Sequence, residues 1–243
     1  MKRILIVLIM FSSNLFAQSA IPAGTILPVA LNSTLNSRRL KAGQAITARV
    51  MQDVPLSPGA TIHAGAKIVG QVTAVKPADG TGGSQVSFRF DTLISGRQRI
   101  PITANLRALA SMMAIEAAQL PESGPDRGTS MNAWTTDQIG GEVVYRGGGP
   151  VAKGLQFVGE PVYGGVLVHV SGKPGTECRG EIEGNDRLQA LWVFSSDACG
   201  AYDFPDLKIA HAGRTNPLGE ITLESDKGDV KLRAGSGMLL RVN

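Results

Sequence analysis

Hydrophobic and polar positions alternate with period two along two stretches of the chain. Residues 67–75 (KIVGQVTAV) alternate over part of their length. Residues 85–93 (QVSFRFDTL) alternate throughout, with Val86, Phe88 and Phe90 on one face. This period buries one face and wets the other, as in an antiparallel sheet or barrel. Residues 77–84 form a Gly-rich turn between them, Ser95-Gly96 marks another turn, and residues 99–103 continue as a strand. The period then changes. Leu106, Leu109, Met113 and Leu120 fall near helical spacing in a segment rich in Ala and Met, so a helix is predicted over residues 105–120, stopping before Pro121. Residues 121–130 (PESGPDRGTS) read as a loop. Beyond it, residues 143–145, 166–170 and 188–194 read as strands, and the glycines at 147–149, 164–165 and 213 as turns.

An irregular internal repeat overlies this pattern. Residues 21–27 (IPAGTIL), 40–46 (LKAGQAI), 62–68 (IHAGAKI) and 232–238 (LRAGSGM) share the form apolar-x-Ala-Gly-x-x-apolar. A tight turn through Ala-Gly requires a positive φ at Gly24, Gly43, Gly65 and Gly235. The uneven spacing excludes a solenoid or propeller. The last copy lies far from the other three, so residues 219–242 are expected to return and complete the N-terminal sheet. The resulting fold class is mainly β: a small barrel built from N- and C-terminal segments, with one helix and an inserted or second β-rich module. The expected divisions are 1–17, a signal peptide; 18–104, the first part of the barrel; 105–130, helix and linker; 131–218, a β-rich module carrying the cysteines; and 219–243, the second part of the barrel.

The pattern of residues 21–27, followed by 46–50 (ITARV) and 62–72 (IHAGAKIVGQV), resembles the C-terminal β-barrel domain of TrbI-like conjugation and type IV secretion proteins. The closing residues 230–242 (VKLRAGSGMLLRV) resemble the strand–turn–strand that ends that barrel. The resemblance covers residues 21–104 and the last two dozen residues. It implies a barrel with a helical excursion and a scaffold role in the cell envelope. The middle segment with its cysteines has no counterpart in that pattern.

The N-terminus bears on compartment. Lys2 and Arg3 precede the apolar run 4–11 (ILIVLIMF), and Ala17, or alternatively Ala20, offers a cleavage site. This reads as a secretory signal peptide, too short to span a bilayer. With no later segment of transmembrane length, a periplasmic or secreted protein is expected, with no transmembrane segment after cleavage. Removal of Lys2 and Arg3 lowers the formal net charge from +4 to +2, which gives no reason to expect nucleic acid as a partner.

Candidate chemistry is sparse. Cys178 and Cys199 allow one intramolecular pairing, and in an exported chain we read them as a structural disulfide in preference to a reactive thiol or a metal pair. A strand–turn–strand between them would bring both to one end. His63, His169 and His211 are not at ligand spacing, so no metal site is expected. No Gly-x-Ser-x-Gly elbow occurs. Ser195-Ser196-Asp197 with His169 or His211 is the nearest approach to a triad. Glu181 and Glu183, two apart, share a strand face without a cleft. No catalytic residue, metal or cofactor is therefore assigned. Trp134, Tyr145 and Tyr163 are the candidates for ligand or partner contact, whereas Trp192, in an apolar run, is expected in the core. The expected function is a non-enzymatic cell-envelope binding or scaffold module, with an envelope protein or a second copy as partner. A carbohydrate- or peptide-binding module and a secreted hydrolase are the alternatives.

Overall fold

The structure, a computed structural model, describes residues 21–57, 59–80, 82–120, 135–145, 149–171, 178, 187–214 and 216–243. The N-terminal run 4–11 and Trp134 lie outside these. The chain is mainly β with a single helix among the described residues. The first strands are β1 (Ile26–Leu31), β2 (Leu35–Asn36), β3 (Ala45–Val50), β4 (Val54–Ser57), β5 (Ala60–Ile62), β6 (Lys67–Lys76), β7 (Ser84–Ser95), β8 (Gln98–Pro101) and β9 (Ala104–Ala110). The helix α1 (Met112–Gln119) follows. Then come β10 (Thr135–Asp137), β11 (Val143–Tyr145), β12 (Val151–Lys153), β13 (Gln156–Val162), β14 (Gly165–His169) and β15 (Leu188–Ala190). The chain ends with β16 (Gly200–Tyr202), β17 (Leu207–Ile209), β18 (Ile221–Ser225), β19 (Lys231–Leu232) and β20 (Gly237–Val242). No helix among the described residues is long and apolar enough to cross a membrane.

Two sheets hold most strands. The first runs β16-β9-β20-β1-β3-β6-β7-β18-β17, with β8 also on β7, and the second runs β10 through β15 in chain order. β20 pairs with both β1 and β9, so the C-terminal segment does complete the N-terminal sheet. The first sheet is coiled but its ladder is open: β16 and β17 are its two edges. Only residues 203–206 join those edges, and at roughly 3.5 Å per residue they hold them within about 18 Å of each other. Residues 98–110 bridge the path. β8 lies on β7, Ile102 N–H donates to Asp91 O, and β9 then lies on β20. The pairings thus describe a coiled open sheet and do not establish the expected closed barrel. β16 and β17 also belong to this sheet, not to a separate module spanning 131–218.

Burial follows from the layering. In β3 and β6 buried positions alternate with wetter ones, because one face meets water. β1 and β9 are buried at every position. Leu27, Val29 and Leu31 face the core inside the coiled sheet, whereas Ile26 and Ala30 face a second core shared with Val144, Val166 and Val168 of the other sheet. The same two-sided burial explains a correction. Residues 105–110 are strand β9, not the start of a helix. Leu- and Ala-rich sequence favours helix locally, but burial on both faces removes the period-two signal and tertiary pairing decides. The helix begins after Ser111, whose side chain accepts from Ala114 N–H as an N-cap.

The four Ala-Gly turns share one geometry. φ is +81° at Gly24, +83° at Gly43, +88° at Gly65 and +90° at Gly235. In each turn the residue after Gly donates back to the residue before Ala, as in Gln44 N–H to Lys41 O. Each Gly N–H also donates 2.8 Å to a strand elsewhere: Gly24 to Val242, Gly235 to Leu31, Gly43 to Val72 and Gly65 to Val50. Each of those four residues donates back to the residue after its Gly. The docking is reciprocal. β1 follows the first turn and receives the fourth, and β20 follows the fourth and receives the first. β3 and β6 exchange the middle turns in the same way. The receiving residue always stands seven positions after its own turn glycine.

Candidate functional site

A cleft of about 370 Å³ opens between the C-terminal end of α1 and the second sheet. Its floor is the loop that follows β15. The sequence predicts a strand over residues 188–194, but the strand stops at Ala190. Leu191 O accepts from Phe194 N–H, and Trp192 occupies the first corner of that turn at φ +55°. That corner is mostly filled by glycine. Trp192 is 4% exposed and packs in the second core, as expected from its apolar run, while also lining the cleft.

Three buried side chains fix this floor. Gln52, two residues after β3, accepts from Trp192 N–H at 2.7 Å and Val166 N–H at 3.3 Å, and donates to Val166 O at 2.8 Å. Close approach at this point requires Gly165: a Cβ there would lie 2.3 Å from Gln52 Oε1 and 2.6 Å from Trp192 Cα. Arg107, on β9, donates to Ala198 O at 2.9 Å, Ser171 O at 3.0 Å and Ser196 O at 3.3 Å. Burial pulls its pKa down to about 10, so it remains a cation at neutral pH, satisfied by carbonyls. Glu142, before β11, accepts from Ser196 N–H and Oγ. Burial pushes its carboxyl above the usual range.

The cleft itself carries no charged side chain among its described lining residues. Val144, Val166, Val193 and the Trp192 ring make it apolar, and Thr136 and Gln138 supply polarity. Gln138 is 6% exposed, and its Oε1 has no hydrogen-bond partner. The other buried oxygens in that condition among the described residues, on Thr73, Ser236 and Asn243, do not line this cleft. Leaving a buried carbonyl unpaired costs about 1–3 kcal/mol. An apolar cleft with few convergent polar groups is the usual form of a binding site.

Of the three contact candidates, Tyr163 has a described side chain and stands beside this cleft. Tyr163 forms the β13–β14 turn between two lining residues, Val162 and Gly164, and is fully exposed. Tyr145 follows the lining residue Val144 in β11, where it pairs with Thr135. Trp134 lies outside the described residues. Gln52, Arg107, Gln138 and Glu142 were not singled out by sequence, because each is an isolated polar residue outside any motif.

The remaining candidates do not converge. Cys178 and Cys199 form the disulfide, with Cα atoms 5.7 Å apart. The strand–turn expected between them, with Glu181 and Glu183, lies outside the described residues, as do Gly147 and Gly148. His63 contacts Asp53 at 3.3 Å on the surface, and His169 and His211 are exposed on separate elements. Ser196 Oγ donates to Glu142 and Ser195 Oγ to Asp197, with no histidine beside either. No group of three metal-ligating side chains occurs among the described residues. A second, more polar hollow of about 530 Å³ lies between β16 and β17 beside Cys178. No protein-family model matches the chain, and no curated protein matches it.

Proposed function

We propose that the protein is an exported, non-enzymatic cell-envelope binding module of TrbI-like architecture. The observation that carries the reading is the cleft over Trp192, apolar and uncharged among its described lining residues. Such a site takes an apolar group and disfavours ions. The nearest serine–carboxylate contacts are spent on structure. Glu142 is committed to the Ser196 backbone and hydroxyl, and Asp197 to Ser195 and Lys153. The disulfide supports an extracytoplasmic setting, where such bonds persist. The four docked turns and the return of β20 support the TrbI-like relation.

The test is a titration of the mature, oxidised chain followed by side-chain amide and indole NMR signals. The probes are N-acetyl-tyrosinamide, N-acetyl-aspartate and an N-acetylglucosamine oligomer. The expected result is movement of the Gln138 amide and Trp192 indole signals with the first probe and not with the anion. A response to the sugar alone moves the function to carbohydrate binding. Silence of both signals with all three probes at millimolar concentration overturns the cleft as a binding site.

A further inference from the structure

We infer that the outer face of the first sheet docks on a lipid bilayer whose headgroups carry anionic phosphate. The register places Arg49 of β3 opposite Lys67 of β6, Lys67 opposite Ile94 of β7, and Ile94 opposite Arg99 of β8. Cross-strand partners share a face, so these four side chains form one row across four strands. At about 4.8 Å between strands the row is roughly 14 Å long. Their chain neighbours Ala48, Val50, Ile68, Leu93 and Ile100 belong to the first core, so the row points outward. Arg49, Lys67 and Arg99 are exposed. Arg97, in the β7–β8 turn, is also exposed and adds a fourth cation at that end. The next row on this face, Thr47, Val69, Thr92 and Pro101, carries no charge.

The row is not neutralised from within the chain. Arg49, Lys67 and Arg97 join no ion pair among the described residues, and Arg49 Nε donates to Met51 Sδ at 3.3 Å. The nearby carboxylates have other partners. Asp53 accepts from Ala64 N–H beside His63, and Asp91, at the β7 bulge, accepts from Thr92 Oγ1. Residues 21–110, which supply most of this sheet, hold ten Lys and Arg against three Asp and Glu, whereas residues 111–218 hold eight against thirteen. The face thus lies on the positive part of a bipolar chain. The arrangement of the charge selects the partner. A small anion is held by groups converging on a concave site; here the cations lie in line on an outward sheet face, which matches phosphates spread in a plane. Apolar Ile94 stands between Lys67 and Arg99. A Cβ on Gly164 would lie 3.8 Å from Met51 O, so the hairpin tip bearing the fully exposed Tyr163 stands at the Arg49 end of the row. Tyrosine is enriched at headgroup level, and each Lys or Arg near an anionic surface strengthens attachment about fivefold.

The test is co-sedimentation of the oxidised mature chain with vesicles of phosphatidylcholine containing phosphatidylglycerol, and with vesicles of phosphatidylcholine alone. Binding is expected to the anionic vesicles only, weakening as salt is raised. Arg49→Gln, Lys67→Gln and Arg97→Gln should each weaken it about fivefold, and the triple variant about a hundredfold. Tyr163→Ala should weaken it several-fold at unchanged charge. Arg39→Gln with Lys41→Gln removes two charges beyond the other end of β3 and should leave binding within about twofold. Urea midpoints check that each variant is folded. No binding to the anionic vesicles, or binding that the triple variant keeps, overturns the inference. Lipid-free self-association that the triple variant abolishes, with vesicles unbound, assigns the face to the acidic part of a second copy and overturns it as well. The cleft reading is decided separately by the Trp192 indole response to N-acetyl-tyrosinamide, so either can fail alone.

Discussion

Two buried glutamines on the same cleft should respond oppositely to the same substitution. Gln52 is fully committed. Its Oε1 receives the N–H groups of Trp192 and Val166, and its Nε2 reaches Val166 O. Gln52→Leu keeps the volume and leaves those two N–H groups without an acceptor. At about 1–3 kcal/mol for each orphaned group, the loss is roughly 2–6 kcal/mol. Part returns, because Trp192 is then free to leave its φ of +55°, a conformation costing about 1–3 kcal/mol. The net expectation is a loss of about 2–4 kcal/mol. Gln138 differs: its Oε1 is buried and unpaired. Gln138→Leu removes a desolvation cost without orphaning a partner of that oxygen, so stability should stay level or rise by about 1 kcal/mol.

The assay is equilibrium urea unfolding of the oxidised mature chain at low micromolar concentration, followed by far-UV circular dichroism. The midpoints should move in different directions with the slope unchanged. A loss of less than about 0.5 kcal/mol in Gln52→Leu, or of more than about 1 kcal/mol in Gln138→Leu, would refute the account of the cleft floor.

Other expectations follow from the turns, the disulfide and the buried carboxyl. A Cβ on Gly43 or Gly65 would meet nothing within 4 Å, so Gly43→Ala and Gly65→Ala should each cost about 1–2 kcal/mol through backbone conformation alone. Asn at either position should cost less, and equal unfolding midpoints for Ala and Gly would contradict this. Cys178 and Cys199 are 21 positions apart, so reduction should lower stability by about 3 kcal/mol; a melting temperature indifferent to reductant would remove the staple's role. Burial holds the Glu142 carboxyl above its ordinary 4.5, so the fold keeps a proton that the unfolded chain has released. Stability should therefore fall as pH rises from 4.5 through the folded value, and Glu142→Gln should lose that component of the slope. Superimposable pH profiles for the two proteins would contradict this assignment.

What sequence alone could reveal depended on how locally each feature is determined. The four turns were legible because positive φ at glycine is a property of a few residues. Their reciprocal docking was not, although an aliphatic residue seven places after each Ala-Gly was available as a signal. β7 was legible because water lies on one of its faces. β9 was not, since a strand covered on both sides loses its alternation and its Leu-Arg-Ala-Leu-Ala run then suggests helix. The early end of β15 depends on Gln52, about 140 residues away, and no local pattern encodes it. The polar residues that shape the cleft were missed, because a lone Gln, Arg or Glu carries no information until its partners are known.

The origin of those partners joins the cleft to the fold. The cleft opens on the second sheet, yet of the three side chains that fix its floor Arg107 comes from the first sheet and Gln52 from the loop that leaves it. Gln52 stands two residues after β3, one of the strands held in register by reciprocal turn docking. Arg107 lies on β9, whose two-sided burial anchors it between the cores. The tip of the β13–β14 hairpin is exposed at Tyr163, while the turn of Trp192 is held by Gln52. A ligand in the cleft therefore meets a floor whose strained turn at Trp192 is held by a side chain that follows a strand of the other sheet.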